Sequence, residues 1–225
     1  MSRRFPPEGS LAKGVVDSST RRRAFRFLNM LWVVAVRIGV VDYTVGNLGS
    51  LLAALKRAGA EPVVVNEPEE ANRVDAIVLP GVGAYDAAAA KARSFKRVIE
   101  SKPTLAICLG MQLLFEGSEE GAERGLGIFP GRAERIKAAK VPHIGWSYTR
   151  VVKQLPFLEE NYYYYLHSFG VPYAPDARFV AYVELQRPYV AAVYKEPILG
   201  VQFHPERSGK AGLALLRNLF AAWRR

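Results

Sequence analysis

From residue 37 to Cys108 the chain alternates short apolar runs with stretches of helical period, and this alternation restricts the fold more than any other feature. Residues 37–43 read as a buried strand. Residues 46–58 place Leu48, Leu51, Leu52 and Leu55 at helical spacing and stop at Gly59. Residues 62–65 and 74–79 read as strands, 84–99 as an alanine-rich helix, 104–107 as a fourth strand and 109–116 as a helix. Such an order predicts an α/β fold, a mostly parallel sheet flanked by helices. After Gly117 strand-like pieces crowd together, at 133–136, 148–152, 162–167, 178–184, 189–194 and 198–203, so antiparallel additions to the sheet are expected. The run Tyr162 to Tyr165 is expected to alternate between core and solvent. An amphipathic helix over 208–223 closes the pattern.

The 225 residues suit one domain, and 50% hydrophobic with 23% charged content is that of an ordinary globular protein. One cysteine excludes an internal disulfide framework and fits a reducing, cytoplasmic compartment. With only His143, His167 and His204 beside it, no metal site and no cofactor are expected. The net charge of +10 is uneven: residues 1–30 hold seven basic side chains and two acids, which is half of it. The remainder is mildly basic and lacks an aromatic and basic nucleic-acid motif, so no nucleic-acid partner is expected.

Residues 1–36 form a basic N-terminal extension with Pro6, Pro7 and an Arg21-Arg-Arg23 run, and are expected to lie outside the fold, with translation starting at Met30 or Val36. The apolar stretch 27–36 is too short to span a membrane, so no membrane association is expected. It lacks a small-residue cleavage site, while the Arg-rich, acid-poor character leaves an organellar transit peptide as an alternative.

Cys108 sits where a strand gives way to a helix, with Ala106 and Gly110 two residues to either side. A nucleophile on so sharp a turn needs small neighbours, and the turn exposes its side chain at the carboxyl end of the strand. The N–H groups and dipole of the next helix favour thiolate there. Taken alone, Cys108 also reads as a buried inert thiol and His204 as a hydrogen-bonded core histidine. The segment Gly200-Val-Gln-Phe-His-Pro-Glu206 reads as a strand ending in His-Pro-Glu; on a strand, residues two apart face the same way, which would put Glu206 beside His204. His204 could then take the thiol proton while Glu206 fixes its tautomer. Pro80-Gly-Val-Gly83 ends the preceding strand, where a backbone amide could turn inward and join that of Leu109 as an oxyanion hole; alone, it is a simple strand-to-helix turn.

These strings resemble the class I, triad-type glutamine amidotransferases. Cys108-Leu-Gly-Met-Gln112 and His204-Pro-Glu206 carry the class. Gly46-Asn47-Leu48, Pro80-Gly-Val-Gly-Ala84, Pro142-His-Ile-Gly-Trp146 and Tyr164-Tyr-Leu-His-Ser-Phe169 are similar to the glutaminase subunits of imidazole glycerol phosphate synthase, in colinear order over 37–225. The resemblance implies a flavodoxin-like fold for 37–225 and hydrolysis of L-glutamine to glutamate and ammonia through a thioester. It implies Cys108, His204 and Glu206 as the catalytic triad, Val82, Gly83 and Leu109 at the oxyanion, and Gln112, Ser168 and Phe169 on the substrate's amino-acid end. Asn47, His143, Trp146 and Arg207 match positions facing a separate (β/α)8-barrel cyclase subunit, which would receive the ammonia within a heterodimer serving histidine biosynthesis. Ala106, Ser147 and Arg207 depart from the residues usual in the family, Gly, Asn and Lys. As alternatives, Asn47 reads as a helix N-cap and Trp146 as a packed aromatic. A glutaminase of the pyridoxal-phosphate or anthranilate type and a non-catalytic binding module are the competing readings of the whole chain.

Overall fold

The computed structural model describes residues 35–43 and 48–224, so the expected N-terminal extension lies almost wholly outside the described residues. Strand β1 (Val36–Val41) takes in the last residue of that extension. It is followed by α1 (Gly49–Arg57), β2 (Ala60–Val65), β3 (Ala76–Leu79), α2 (Tyr85–Ser94), α3 (Lys96–Ser101), β4 (Thr104–Ile107) and α4 (Leu109–Leu113). Then come β5 (Gly117–Ser118), β6 (Arg132–Arg135), β7 (His143–Val151), β8 (Asn161–His167), β9 (Phe169–Gly170), β10 (Phe179–Glu184), β11 (Pro188–Lys195), β12 (Ile198–Val201) and α5 (Gly209–Trp223).

Nine strands form one sheet in the order β2-β1-β3-β4-β12-β11-β10-β7-β8. The first five are parallel, as a flavodoxin-like order requires, and the last four are antiparallel additions. Strands β5, β6 and β9 make a small separate sheet. Every residue of β3, β4 and β12 is buried, because helices cover both faces of the parallel part. Side-chain alternation divides the interior into two layers. Leu105 and Ile107 face Leu51, Leu55, Leu215 and Leu219 of α1 and α5, whereas Ala106 faces the layer of Ala88, Ala92 and Met111 from α2 and α4. Truncating one such leucine to alanine would cost about 2–5 kcal/mol.

Several boundaries differ from the sequence expectation. The helix expected over 84–99 breaks at Phe95, whose amide bonds the Ala92 carbonyl three residues back, a tightened turn at a fully buried ring. The helix expected over 109–116 ends at Leu113, because a returning segment takes its carbonyls: Leu126, Ile128, Gly127 and Gly125 donate to Leu113, Leu114, Phe115 and Glu116. Strand β7 begins at His143 rather than Tyr148, since His143 to Thr149 pair in unbroken register with β8. The tyrosine run alternates as expected: Tyr163 and Tyr165 are buried and Tyr162 is exposed.

Candidate active site

Strands β3, β4 and β12 end at the same edge of the sheet, and each delivers one part of the site. The register sets Val201 beside Ile107, and the Cys108 amide then donates to the Val201 carbonyl at 2.7 Å. Cys108 adopts φ 49°, ψ −105°, the one positive φ outside glycine among the described residues. Such a conformation costs on the order of 1–3 kcal/mol and persists only where the surroundings impose it. Small neighbours permit it. A Cβ on Gly110 would come 2.4 Å from the Leu79 carbonyl oxygen, and one on Gly81 would lie 2.8 Å from Cys108 Cβ and 3.0 Å from His204 Cε1. Because α4 is five residues long, its dipole adds less at the sulfur than the expected eight-residue helix would.

His204 comes from beyond β12, not from within it. After Val201 the chain leaves the ladder, and Pro205–Arg207 form a 3-10 turn. That turn, rather than strand alternation, brings Glu206 back so that His204 Nδ1 donates to Glu206 Oε1 at 2.7 Å; the expected pair is present for a different local reason. The histidine is clamped from both sides. Its amide donates to the Tyr164 carbonyl at 2.8 Å, while the buried Ser208 hydroxyl donates to the His204 carbonyl at 2.7 Å and accepts from the Tyr164 amide at 3.0 Å. Phe203 stacks on Tyr163 with ring centroids 4.0 Å apart. Burial alone would lower the His204 imidazole, but hydrogen bonds and charge from Cys108 and Glu206 outweigh it and push the ring up to about 10. Those surroundings favour an imidazolium beside the sulfur.

A cleft of about 230 Å³ opens in front of the sulfur, lined by Gly81, Gly83, Cys108, Leu109, Gln112, Glu120, Pro142, Leu166, His167, Ser168 and Phe169. Of the residues anticipated from the sequence, Gly83, Leu109, Gln112, Ser168 and Phe169 are in its wall; Val82 is not, and Gly81 takes that place. Gln112 donates to the Phe169 carbonyl at 2.8 Å, and its buried Oε1 has no partner. Glu120, missed in the sequence because the acidic run Glu119-Glu120 has no periodicity to single it out, has its carboxyl raised by burial and by Asp86. His167 donates from Nδ1 to the Phe169 carbonyl at 2.8 Å, and burial, with His143 and His204 nearby, pushes it down to about 4.

The residues expected at a partner surface separate. Trp146, 53% exposed, lies on one face of β7 with Ile144 and Tyr148, and Tyr162 of β8 extends this apolar face. His143 lies on the opposite face, edge-on to His167 at 5.5 Å and hydrogen-bonded to Ser147 at 3.0 Å. Arg207 is exposed on the 3-10 turn, and Asn47 lies outside the described residues. Among the described residues, no three His, Cys, Asp or Glu side chains are grouped to hold a metal ion, and no helix is long and apolar enough to cross a membrane.

The chain matches the family model of the class I glutamine amidotransferases over residues 39–223. Imidazole glycerol phosphate synthase subunit HisH of Pyrobaculum aerophilum is 64% identical over 188 residues, covering 84% of this chain and 99% of the relative. The protein of that name from Pyrococcus furiosus is 42% identical over 193 residues, covering 81% and 97%. Among solved structures, PurLQS from Thermotoga maritima superposes with a TM-score of 0.67 at 22% identity, covering 84% of this chain and 99% of that one. A glutamine amidotransferase from Thermotoga maritima gives 0.56 at 18% identity, covering 79% of each. The two structures share the fold, and the match along residues 39–223 together with relatives of this identity makes the chain a member of the class I glutamine amidotransferase family.

Proposed function

We infer that this chain is the glutaminase subunit of an imidazole glycerol phosphate synthase, hydrolysing L-glutamine to glutamate and ammonia. The observation that carries the chemistry is the convergence of Cys108 with the His204–Glu206 pair at adjoining strand ends, at the mouth of a cleft. The 64% identity to a HisH subunit along nearly its whole length supports the subunit assignment.

His204 already holds the Cys108 proton as imidazolium, and the Cys108 thiolate attacks the side-chain amide carbon of glutamine. The amide oxygen becomes an oxyanion beside the backbone of Gly83 and Leu109, where inward N–H groups would stabilise it. His204 returns the proton to the amide nitrogen, the C–N bond breaks, and ammonia leaves a glutamyl thioester on Cys108. Water, deprotonated by His204, attacks the thioester; the C–S bond breaks, and glutamate and the thiol are restored. Glu206 holds the Nδ1–H tautomer throughout, leaving Nε2 for the sulfur side. Glu120 and the open Oε1 of Gln112 suit the substrate's α-ammonium, and the Ser168 and Phe169 backbone borders the same end.

The partner subunit is a (β/α)8-barrel cyclase, in a heterodimer, that uses the ammonia in histidine biosynthesis. The Ile144, Trp146, Tyr148 and Tyr162 face is the surface offered for it, because Leu166 on the same side of β8 lines the cleft. Glutamate release measured with and without such a cyclase and its nucleotide ligand tests the assignment. Strong stimulation by the liganded cyclase is expected; turnover indifferent to it would overturn the subunit assignment.

A further inference from the structure

Gln202 is fully buried two residues before His204, and both ends of its amide are engaged. Its Nε2 donates to Cys108 Sγ at 3.4 Å, and its Oε1 accepts from Gln112 Nε2 at 3.2 Å. Gln112 Nε2 is itself aligned by the Phe169 carbonyl, onto which His167 Nδ1 also donates. The direction of this chain is therefore set: a carbonyl can only accept, so Gln112 presents N–H to Gln202, and Gln202 presents N–H to the sulfur. Flipping the Gln202 amide would set two N–H groups against each other and an oxygen against the sulfur.

The sulfur has a different neighbour on its other side. The neutral thiol donates to the Leu166 carbonyl at 3.6 Å. Once the proton leaves, that carbonyl no longer has a donor and its negative end faces a negative sulfur. The buried N–H of Gln202 works in the opposite sense, because it gains strength when the sulfur becomes charged.

We propose that Gln202 is a further residue of the catalytic machinery, donating a hydrogen bond that favours the thiolate of Cys108 while Gln112 fixes which way its amide points. This rests on the glutaminase reading for its biological purpose, but its test does not need glutamine turnover.

Cys108 is the chain's single cysteine, so alkylation by iodoacetamide, followed by intact mass, reports on that thiol alone. Rates are measured from pH 5 to pH 9 on the full chain and on Gln202→Met and Gln202→Glu. Met keeps the length without the donor; Glu keeps the shape and replaces the donor with an acceptor. The expected result is alkylation at neutral pH slower by on the order of tenfold in Gln202→Met, and slower still in Gln202→Glu. The pH midpoint should move upward in both, with parental rates regained on the alkaline plateau. A plateau lowered with an unchanged midpoint would mean that Gln202 shapes access only and would overturn the proposal, as would a profile superimposable on the parent's. A parent that alkylates as expected yet releases no glutamate with a liganded cyclase would count against the glutaminase reading instead.

Discussion

The Cys108 amide donates to the Val201 carbonyl at 2.7 Å, directly beyond the last register pair of β4 and β12. This bond joins the strand that leads to Cys108 to the strand that leads to His204. Two buried residues, Gln202 and Phe203, then lead to His204, whose position is completed by the turn that follows, so what stabilises that turn should matter for rate.

Ser208→Ala removes the hydroxyl that bridges the His204 carbonyl and the Tyr164 amide. A buried N–H without a partner costs about 1–3 kcal/mol. Denaturant unfolding should show a loss in that range, and kcat should fall with little change in KM, since Ser208 does not line the cleft. Unchanged stability and rate would mean the bridge does not hold the histidine.

Glu206→Gln keeps an acceptor at Nδ1 and removes the charge. His204 is pushed up to about 10, so its imidazolium contributes stability in full below the ordinary value of 6.5 and loses it as pH rises through about 10. Without the carboxylate that upper limit falls. The alkaline limb of glutamate release should move toward neutrality, with a rate loss on the order of a hundredfold or more. An alkaline limb that stays where it is would contradict the role given to Glu206.

His167, held down to about 4 mainly by burial, works in the opposite sense. Between pH 6.5 and 4 the unfolded chain binds a proton that the folded chain excludes, so the native state loses stability as pH falls through that window. His167→Phe should flatten the dependence of the unfolding temperature on pH between 7 and 4.5. A slope equal to that of the parent would show that this ring does not carry the acid sensitivity.

Trp146→Ala should leave unfolding within about 0.5 kcal/mol of the parent, because the ring is exposed. Binding of a cyclase subunit, read by calorimetry, should weaken roughly tenfold or more if Trp146 anchors the interface. Parental affinity would remove it from that surface.

Much of this architecture was legible before the structure. The parallel order follows from apolar runs separated by helical periods, and Cys108 with its small neighbours marks the elbow. What escaped was set by contacts distant in sequence. The Pro142-His-Ile-Gly-Trp146 string reads poorly as a strand until β8 supplies its register. The returning segment 125–128 shortens α4 by taking its carbonyls, which no local pattern announces. In the sequence Gln202 reads as one residue of a strand, and its proposed role rests on a hydrogen bond to a sulfur 94 positions away. Strand alternation puts Glu206 beside His204, yet in the structure a 3-10 turn brings it there.

In the proposed mechanism Cys108 is the nucleophile that opens glutamine. Glutamate release from L-glutamine, measured for the parent and for Cys108→Ala in the presence of a cyclase subunit and its nucleotide ligand, tests it most directly. Steady turnover is expected from the parent and none above background from Cys108→Ala, with both chains folded and bound to the partner. Turnover that survives in Cys108→Ala would contradict it.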